Sequence, residues 1–234
     1  MTQGLIRYVG VDLGQQRDYT AISVTEKVLL PTGNYTREPY FDWDTQGTRW
    51  HSVENGKPEY RVRYLERPPL GTSYVDVVER ILELLESLRD TELVLAVDTT
   101  GVGRPVADML KSRLHKWLES NRRVRLTIGW ITITGGDSVT KAEGGGLRVP
   151  KRDLASAPLV LMQNKQLKIA QEMPLADTLR KELLNFKVKI NISTAHDSYE
   201  AWREGDHDDL VLSVALACWA GERFPKRGAT VYSF

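Results

Sequence analysis

Residues 93–103 read LVLAVDTTGVG, an apolar run that ends at an aspartate and is followed by a Thr- and Gly-rich turn. A short continuous apolar run is typical of a strand that is buried on both faces, as in a parallel sheet. Parallel neighbours need a crossover connection, which is usually a helix. The run therefore predicts the central strand of an α/β domain, with Asp98 at its carboxyl end.

Strands and helices are predicted on both sides of this run. Residues 5–12 (LIRYVGVD) predict an opening strand that ends at Asp12. Apolar residues at helical spacing predict an amphipathic helix over 75–88. Further strands are expected at 19–24, 60–65 and 124–133, and further helices at 105–118, 154–162, 175–186 and 208–221. The pattern predicts a single α/β domain over residues 1–234, with a mixed central sheet flanked by helices.

Two segments interrupt this pattern. Residues 31–58 are rich in Gly, Asn, Thr, Asp and aromatic residues and have no regular period, so we expect a loop insertion or an irregular hairpin there. Residues 135–148 are rich in glycine, and we expect them to form a mobile flap. Neither segment is a clean linker that would divide the domain.

Composition excludes several classes of protein. Lys and Arg (32) nearly balance Asp and Glu (31), and 41% of residues are hydrophobic, so neither a disordered chain nor a strongly basic arm is indicated. The only cysteine, Cys218, cannot form an internal disulfide. The apolar run at 210–220 is shorter than the roughly 20 residues that cross a bilayer. We therefore expect a cytoplasmic protein that makes no membrane contact.

Acidic residues stand at the ends of three predicted elements. Asp12 and Asp98 each end a strand, and Asp208 with Asp209 begins the last helix. Strand ends in an open α/β sheet share one crevice, so these carboxylates would meet there if the two strands are neighbours. Carboxylate oxygens are the ligands that Mg²⁺ prefers, and a pair of such ions can hydrolyse a phosphodiester. Taken singly, an aspartate at such a position is more often a turn former or a helix N-cap, and the metal-site hypothesis depends on the three positions together.

Four motifs occur in an order that resembles a known family. They are VGVDLG at 9–14 followed by DYTA at 18–21, VDTTGVG at 97–103, VPK at 149–151 and HDDL at 207–210. Together they resemble the nuclease domain of tailed-phage terminase large subunits, within the RNase H-like superfamily that includes RuvC resolvases. The resemblance covers nearly the whole chain and is poorest over residues 31–58.

This resemblance implies an RNase H-like mixed sheet and an endonuclease that cuts double-stranded DNA with two Mg²⁺ or Mn²⁺ ions, as in headful cutting during genome packaging. It implies that Asp12 bridges the two ions and that Asp98 is the second ligand. The third is Asp208 or Asp209. Successive helical residues point about 100° apart, so one of the pair should reach the ions directly, and we prefer Asp208.

Further residues are assigned supporting roles at this site. His207, next to the aspartate pair, is expected to orient a water or a ligand, although an exposed histidine at a helix start is an equal alternative. Basic residues within and just after the Gly-rich segment are expected to contact the DNA backbone. They are Lys141, Arg148, Lys151 and Arg152.

The motor of a packaging terminase is not encoded in this sequence. The phosphate-binding pattern GxxxxGK[ST] is absent, so we expect no ATPase domain here. The chain is then an excised nuclease domain or a free-standing relative. In a packaging machine its partners would be an ATPase domain, the portal and the small terminase subunit, in the host cytoplasm if the chain is phage-encoded.

Three other functions remain open. A junction resolvase or a transposase-type nuclease would share the superfamily and differ in the DNA structure that it recognises. The segment GVDLG at 10–14 also resembles a phosphate motif of actin-like kinases and ATPases, although those chains are much longer. An inactive DNA-binding module is disfavoured because all the acidic positions are present.

Overall fold

The computed structural model describes residues 5–14, 18–42, 45–101, 103–143, 145–192 and 208–224. The strands are β1 (Ile6–Asp12), β2 (Ala21–Asp42), β3 (Gly47–Glu66), β4 (Glu92–Asp98), β5 (Leu126–Thr134), β6 (Thr140–Lys141), β7 (Leu147–Pro150) and β8 (Leu167–Ile169). The helices are α1 (Tyr74–Ser87), α2 (Gly103–Ser120), α3 (Lys151–Gln163), α4 (Ala176–Ile192) and α5 (Asp209–Arg223). No helix within these ranges is both long enough and apolar enough to cross a membrane.

The strands form one mixed sheet in the order β6-β7-β5-β4-β1-β2-β3-β8. β1, β4, β5 and β7 run parallel to one another. β2 pairs antiparallel with both β1 and β3, while the short β8 pairs parallel with β3. The α/β class and the mixed central sheet flanked by helices, both predicted from the sequence, are confirmed.

Alternating side chains of the central strands pack against different layers of helices. Val9 and Val11 of β1 belong to one buried cluster, which they share with residues of α1 and α2. Tyr8 belongs to another, which includes Ala96 of β4 and Ala217 of α5. Because successive strand residues point to opposite faces, the two clusters lie on the two sides of the sheet.

The β2–β3 hairpin extends far beyond the rest of the sheet. We call residues 27–59 the ribbon, and none of its described residues is buried. The β3 side of the ribbon from Gly47 to Pro58 is about 40 Å long at ~3.3 Å per residue. Its pairing register shifts between Pro31 and Tyr35, where Gly33 adopts a φ of 73°. Residues 31–58 therefore lie inside a hairpin that is irregular at this shift.

The direction of β2 fixes where the ribbon points. β2 begins at Ala21, opposite Asp12, and has reached Lys27 where it pairs with Ile6 at the start of β1. The ribbon therefore leaves the sheet at the edge opposite the carboxyl ends of β1 and β4.

Candidate active site

Asp12 and Asp98 face each other across two neighbouring strands. β1 and β4 are parallel, and their register pairs Asp12 directly with Asp98. Paired residues of adjacent strands project to the same face, and the strands lie about 4.8 Å apart. Both side chains are buried, with residue exposures of 8% and 4%. Two carboxylates predicted from separate strand ends are thus brought together at one edge of the sheet.

The Thr-Thr turn after β4 holds Asp98 in place. The backbone N–H of Thr100 donates to Oδ1 of Asp98 at 2.7 Å. The Thr100 hydroxyl in turn accepts from the N–H of Ile133 at 2.7 Å, and the Thr99 hydroxyl donates to the carbonyl of Ile131 at 3.0 Å. These bonds tie the strand end to β5 and fix the orientation of one carboxylate oxygen.

The turn after β1 is held in a comparable way. The N–H of Gly14 donates to the Thr20 hydroxyl at 3.2 Å, and the Tyr74 hydroxyl donates to the Gly14 carbonyl at 3.1 Å. The chain leaving Asp12 is therefore attached to the start of β2 and to α1.

Helix α5 lies directly on β1 and runs antiparallel to it. A Cβ built on Gly10 would stand 1.9 Å from the carbonyl oxygen of Ser213, so only glycine permits this approach. At the other end of the helix, Lys27 donates to the Gly221 carbonyl at 2.6 Å, and Lys27 is the β2 partner of Ile6. The end of α5 thus lies beside the start of β1, which places the beginning of α5 at the edge that carries Asp12.

Asp209 lies on the sheet-facing side of α5. It precedes Ser213 by four residues, so the two directions differ by about 40°, whereas Asp208 differs from Ser213 by about 140°. Asp209 is 7% exposed, and Asp208 is the half-buried N-cap. The preference for Asp208 as the third ligand stays a prediction, and the helix geometry favours Asp209.

Two residues that were not predicted from the sequence contact the first turn of α5. Glu182 of α4 is buried, and its Oε2 accepts from the backbone N–H groups of Leu210 and Val211 at 3.1 and 3.2 Å. Its Oε1 accepts from Arg67, whose Nη2 also lies 3.6 Å from Oδ2 of Asp209.

Burial and charge act in opposite directions on Glu182. Burial raises the pKa of the Glu182 carboxyl above its usual value, and the nearby Asp209 adds to this, while Arg67 and the Val211 N–H oppose it. The sequence did hold a signal for this residue. Glu182 falls among the buried Leu179, Leu183 and Phe186 of α4, and a carboxylate within an apolar helix stripe is almost never buried without a partner.

The predicted DNA-contacting residues follow β6 and β7. Lys141 and Arg148 are exposed on these paired strands, and Lys151 begins α3 directly after β7. Because β7 is parallel to β5 and β5 to β4, the carboxyl end of β7 lies at the same edge as Asp98. Arg152 donates to Oδ1 of Asp137 at 2.9 Å, so its charge is partly balanced. His207 lies outside the described residues.

The donor set fits a hard divalent cation that is completed by substrate. All candidate ligands are carboxylates, the oxygen donors that Mg²⁺ and Mn²⁺ accept. Within the described ranges, no three His, Cys, Asp or Glu side chains form a group that could hold a metal ion. Mg²⁺ is usually held by one or two carboxylates together with substrate phosphates. The pair on β1 and β4 suits that mode of binding.

Comparison with known proteins supports the fold. No protein-family model and no curated protein matches the chain. Among solved structures, the human cytomegalovirus terminase nuclease domain is similar, with 12% identity, a TM-score of 0.52, and coverage of 95% of this chain and 85% of that one. This likeness shows that the chain has an RNase H-like fold, as its sequence motifs predicted.

Two Thermus thermophilus RuvC structures also match, one of them in complex with a Holliday junction substrate. Each is 12% identical and aligns with 92% of this chain, and the alignments cover 92% and 93% of the RuvC chains. Their TM-scores are 0.35 and 0.36.

Proposed function

We propose that the protein is a divalent-metal-dependent endonuclease that hydrolyses phosphodiester bonds in double-stranded DNA. The observation that best supports this proposal is the direct pairing of the buried Asp12 and Asp98, with the acidic start of α5 at the same edge of the sheet. Two carboxylates buried side by side repel each other when both are ionised, and a divalent cation bound between them would offset that repulsion.

Each carboxylate has a role in this proposal. Asp12, on the strand between β4 and β2 and beneath α5, would be the ligand shared by the Mg²⁺ or Mn²⁺ ions. Asp98 and Asp209 would each contribute a further carboxylate ligand, and Asp208 would assist beside Asp209. When bound, two such ions activate the attacking water and stabilise the leaving oxygen of the phosphodiester. His207, which lies outside the described residues, is assigned the role of orienting the attacking water.

DNA is held through its backbone. Lys141, Arg148 and Lys151 lie on or directly after β6 and β7, and Arg152 follows them in α3. Their positive charges would neutralise phosphates and carry no base readout, so binding should weaken steeply with salt. The position of the cut is then determined by the machinery that delivers the DNA and not by the DNA sequence.

Genome packaging is the setting we propose for this cutting. The similar cytomegalovirus domain belongs to a terminase, and a headful cut needs a nuclease that acts with little sequence preference. The partners would then be an ATPase domain, a portal and a small terminase subunit, in the cytoplasm of the host.

Plasmid cleavage tests the nuclease activity. Supercoiled plasmid is incubated with the protein and Mn²⁺ or Mg²⁺, and the wild type is compared with Asp12→Asn and Asp98→Asn. We expect each variant to lose at least about 100-fold in rate, since even the outer partners of a metal typically contribute 10- to 100-fold. Asp90→Asn is the matched control. Asp90 lies just before the start of β4, at the opposite end from Asp98, and its side chain is 75% exposed. Cutting that persists in both site variants would remove these residues from the reaction.

A choice of substrates tests the kind of nuclease. Linear duplex and a synthetic four-way junction are compared at equal concentration. We expect duplex to be cut at least as fast as the junction. If the protein cuts the junction much faster than the duplex, the packaging role is wrong and the protein is a junction resolvase.

A further inference from the structure

The first turn of α5 is capped by another helix. The first backbone N–H groups of a helix have no partner within it, and the N-cap side chain usually accepts from one of them. Asp208 is the N-cap of α5, yet its side chain makes no capping hydrogen bond. Glu182 of α4 accepts from Leu210 and Val211 instead. The cap that an N-terminal aspartate normally provides therefore comes from a residue that is 26 positions earlier than Asp208.

Arg67 connects this cap to Asp209. Its guanidinium donates to Glu182 and lies 3.6 Å from Oδ2 of Asp209. It also packs over the Tyr19 ring, with 5.1 Å from the guanidinium carbon to the ring centroid. The Arg67 side chain is 14% exposed and those of its two acidic partners are 6% and 9% exposed, so water screens the three charges weakly.

We propose that Glu182 is a positioning residue of the metal site. It fixes the first turn of α5 through two backbone hydrogen bonds, and through Arg67 it sets the direction of the Asp209 carboxylate. This inference rests on the proposed function, because it assigns Glu182 to the site that binds the cations. Glu182 is not itself a ligand in this account: its Oε1 accepts from the Arg67 guanidinium and its Oε2 from the two α5 amides.

Two substitutions separate the parts of this role. Glu182→Gln keeps an acceptor oxygen for the α5 amides but loses the ion pair with Arg67. Of the two acidic partners described above, Arg67 then keeps Asp209. Glu182→Met has a similar length and removes both the acceptor and the charge. Positioning through the cap therefore predicts a graded effect, with glutamine retaining more function than methionine.

Glu26 offers a matched control. It is a buried carboxylate that accepts from two arginines, Arg7 at 3.2 Å and Arg63 at 2.7 Å. It pairs with Arg7 near the start of β1, at the end of the sheet away from Asp12. Glu26→Gln breaks a comparable ion-pair network without touching the proposed site.

Mn²⁺ binding to the full chain is the deciding measurement. Isothermal titration gives the Mn²⁺ affinity, plasmid cutting gives the rate at saturating Mn²⁺, and thermal unfolding in EDTA reports the fold without metal. For Glu182→Met we expect Mn²⁺ affinity to fall on the order of 10- to 100-fold, with most of the cutting rate recovered at saturating Mn²⁺. For Glu182→Gln we expect a smaller loss, roughly threefold to tenfold. Glu26→Gln should lower the unfolding temperature and leave Mn²⁺ affinity unchanged.

The outcomes distinguish this inference from the function it rests on. A wild type that neither binds Mn²⁺ nor cuts DNA would overturn both. A wild type that binds and cuts, beside Glu182 variants of unchanged Mn²⁺ affinity, would overturn the positioning role alone. If Glu182→Met fails to fold, Glu182→Gln decides, and an affinity equal to that of the wild type would reduce Glu182 to a structural residue.

Discussion

Gly10 determines how closely α5 approaches the sheet. An alanine Cβ at this position would lie 1.9 Å from the Ser213 carbonyl oxygen and 3.0 Å from the Ala217 nitrogen, which are backbone atoms of a buried helix. Such atoms cannot rotate away, so Gly10→Ala should destabilise the fold by about 3 kcal/mol, at the upper end of typical overpacking costs. Urea unfolding measures this. Gly47→Ala, whose nearest contact would be 3.7 Å, should unfold like the wild type. Equal midpoints for both variants would refute the close contact.

Glu26 makes the stability of the fold depend on pH. Burial raises the pKa of the Glu26 carboxyl, but hydrogen bonds and charges from Arg63 and Arg7 outweigh burial and hold the pKa below its usual value. A lowered pKa stabilises the fold above the unfolded pKa of about 4.3, and this contribution is lost as pH falls through the folded pKa. Glu26→Gln should therefore cost about 1 to 3 kcal/mol at pH 7 and progressively less on acidification below about pH 4. Denaturant unfolding of the wild type and of Glu26→Gln across this pH range measures the difference in unfolding free energy. If the ion pairs contribute nothing, that difference will not shrink as the pH falls.

Single residues differ in how well their place in the candidate site can be predicted from the sequence. Asp12 and Asp98 could be predicted because each ends an apolar strand, and parallel strands align their carboxyl ends. Arg67 and Glu182 could not be paired in advance, since 115 residues separate them and their contact exists only once α4 packs near the end of β3. The choice between Asp208 and Asp209 likewise needed the rotation of α5, which Gly10 fixes.

Among the elements, the ribbon is the one least required by the core. Replacing residues 30–57 by Asn-Gly would join the paired Leu29 and Pro58 through a two-residue turn. No buried residue is removed among those described, and Gln166 still donates to the Pro58 carbonyl at 2.9 Å. We expect the shortened chain to unfold within a few degrees of the wild type and to retain Mn²⁺-dependent plasmid cutting. Loss of the cooperative thermal transition would show that the ribbon supports the fold.

The ribbon also explains why residues 31–58 could not be resolved into strands from sequence. Strand prediction relies on one apolar face that is buried, and here both faces are open to solvent. Aromatic side chains such as Trp50 (58% exposed) and Tyr35 (63% exposed) therefore carry no burial signal. The central strands and helices α1, α2, α3 and α5 were predicted within about three residues of their observed bounds, whereas α4 continues to Ile192, six residues beyond its predicted end at 186.

The proposed function predicts that divalent cations stabilise the whole molecule. A ligand that binds only the folded state at 100 times its dissociation constant adds about 2.7 kcal/mol. For a chain of 234 residues this corresponds to roughly 5 to 10 °C in unfolding temperature. Mn²⁺ should thus raise the melting temperature of the wild type and of Asp90→Asn, and EDTA should reverse the rise. In Asp12→Asn the rise should largely vanish, and an equal rise there would place the ions elsewhere.

Near-neutral charge conceals how the charges are arranged. The formal net charge is +1, yet acidic side chains gather at the ends of β1 and β4 and at the start of α5, while exposed Lys141 and Arg148 lie on β6 and β7. Net charge therefore says little about the partners of this chain, whereas the separation of charge suits the proposed passage of a DNA backbone over a cation-binding centre.

The position of α5 in the chain sets the time at which the site is completed. Asp209 follows Asp98 by 111 residues, and every strand of the described sheet is synthesised before it. At about 5 to 20 residues per second, a ribosome needs roughly 6 to 22 seconds to add that interval. Of the proposed cation ligands on described strands and helices, the nascent chain carries only Asp12 and Asp98 during this time. The proposed cation site can therefore be completed only after α5, the last helix of the described chain, has been synthesised.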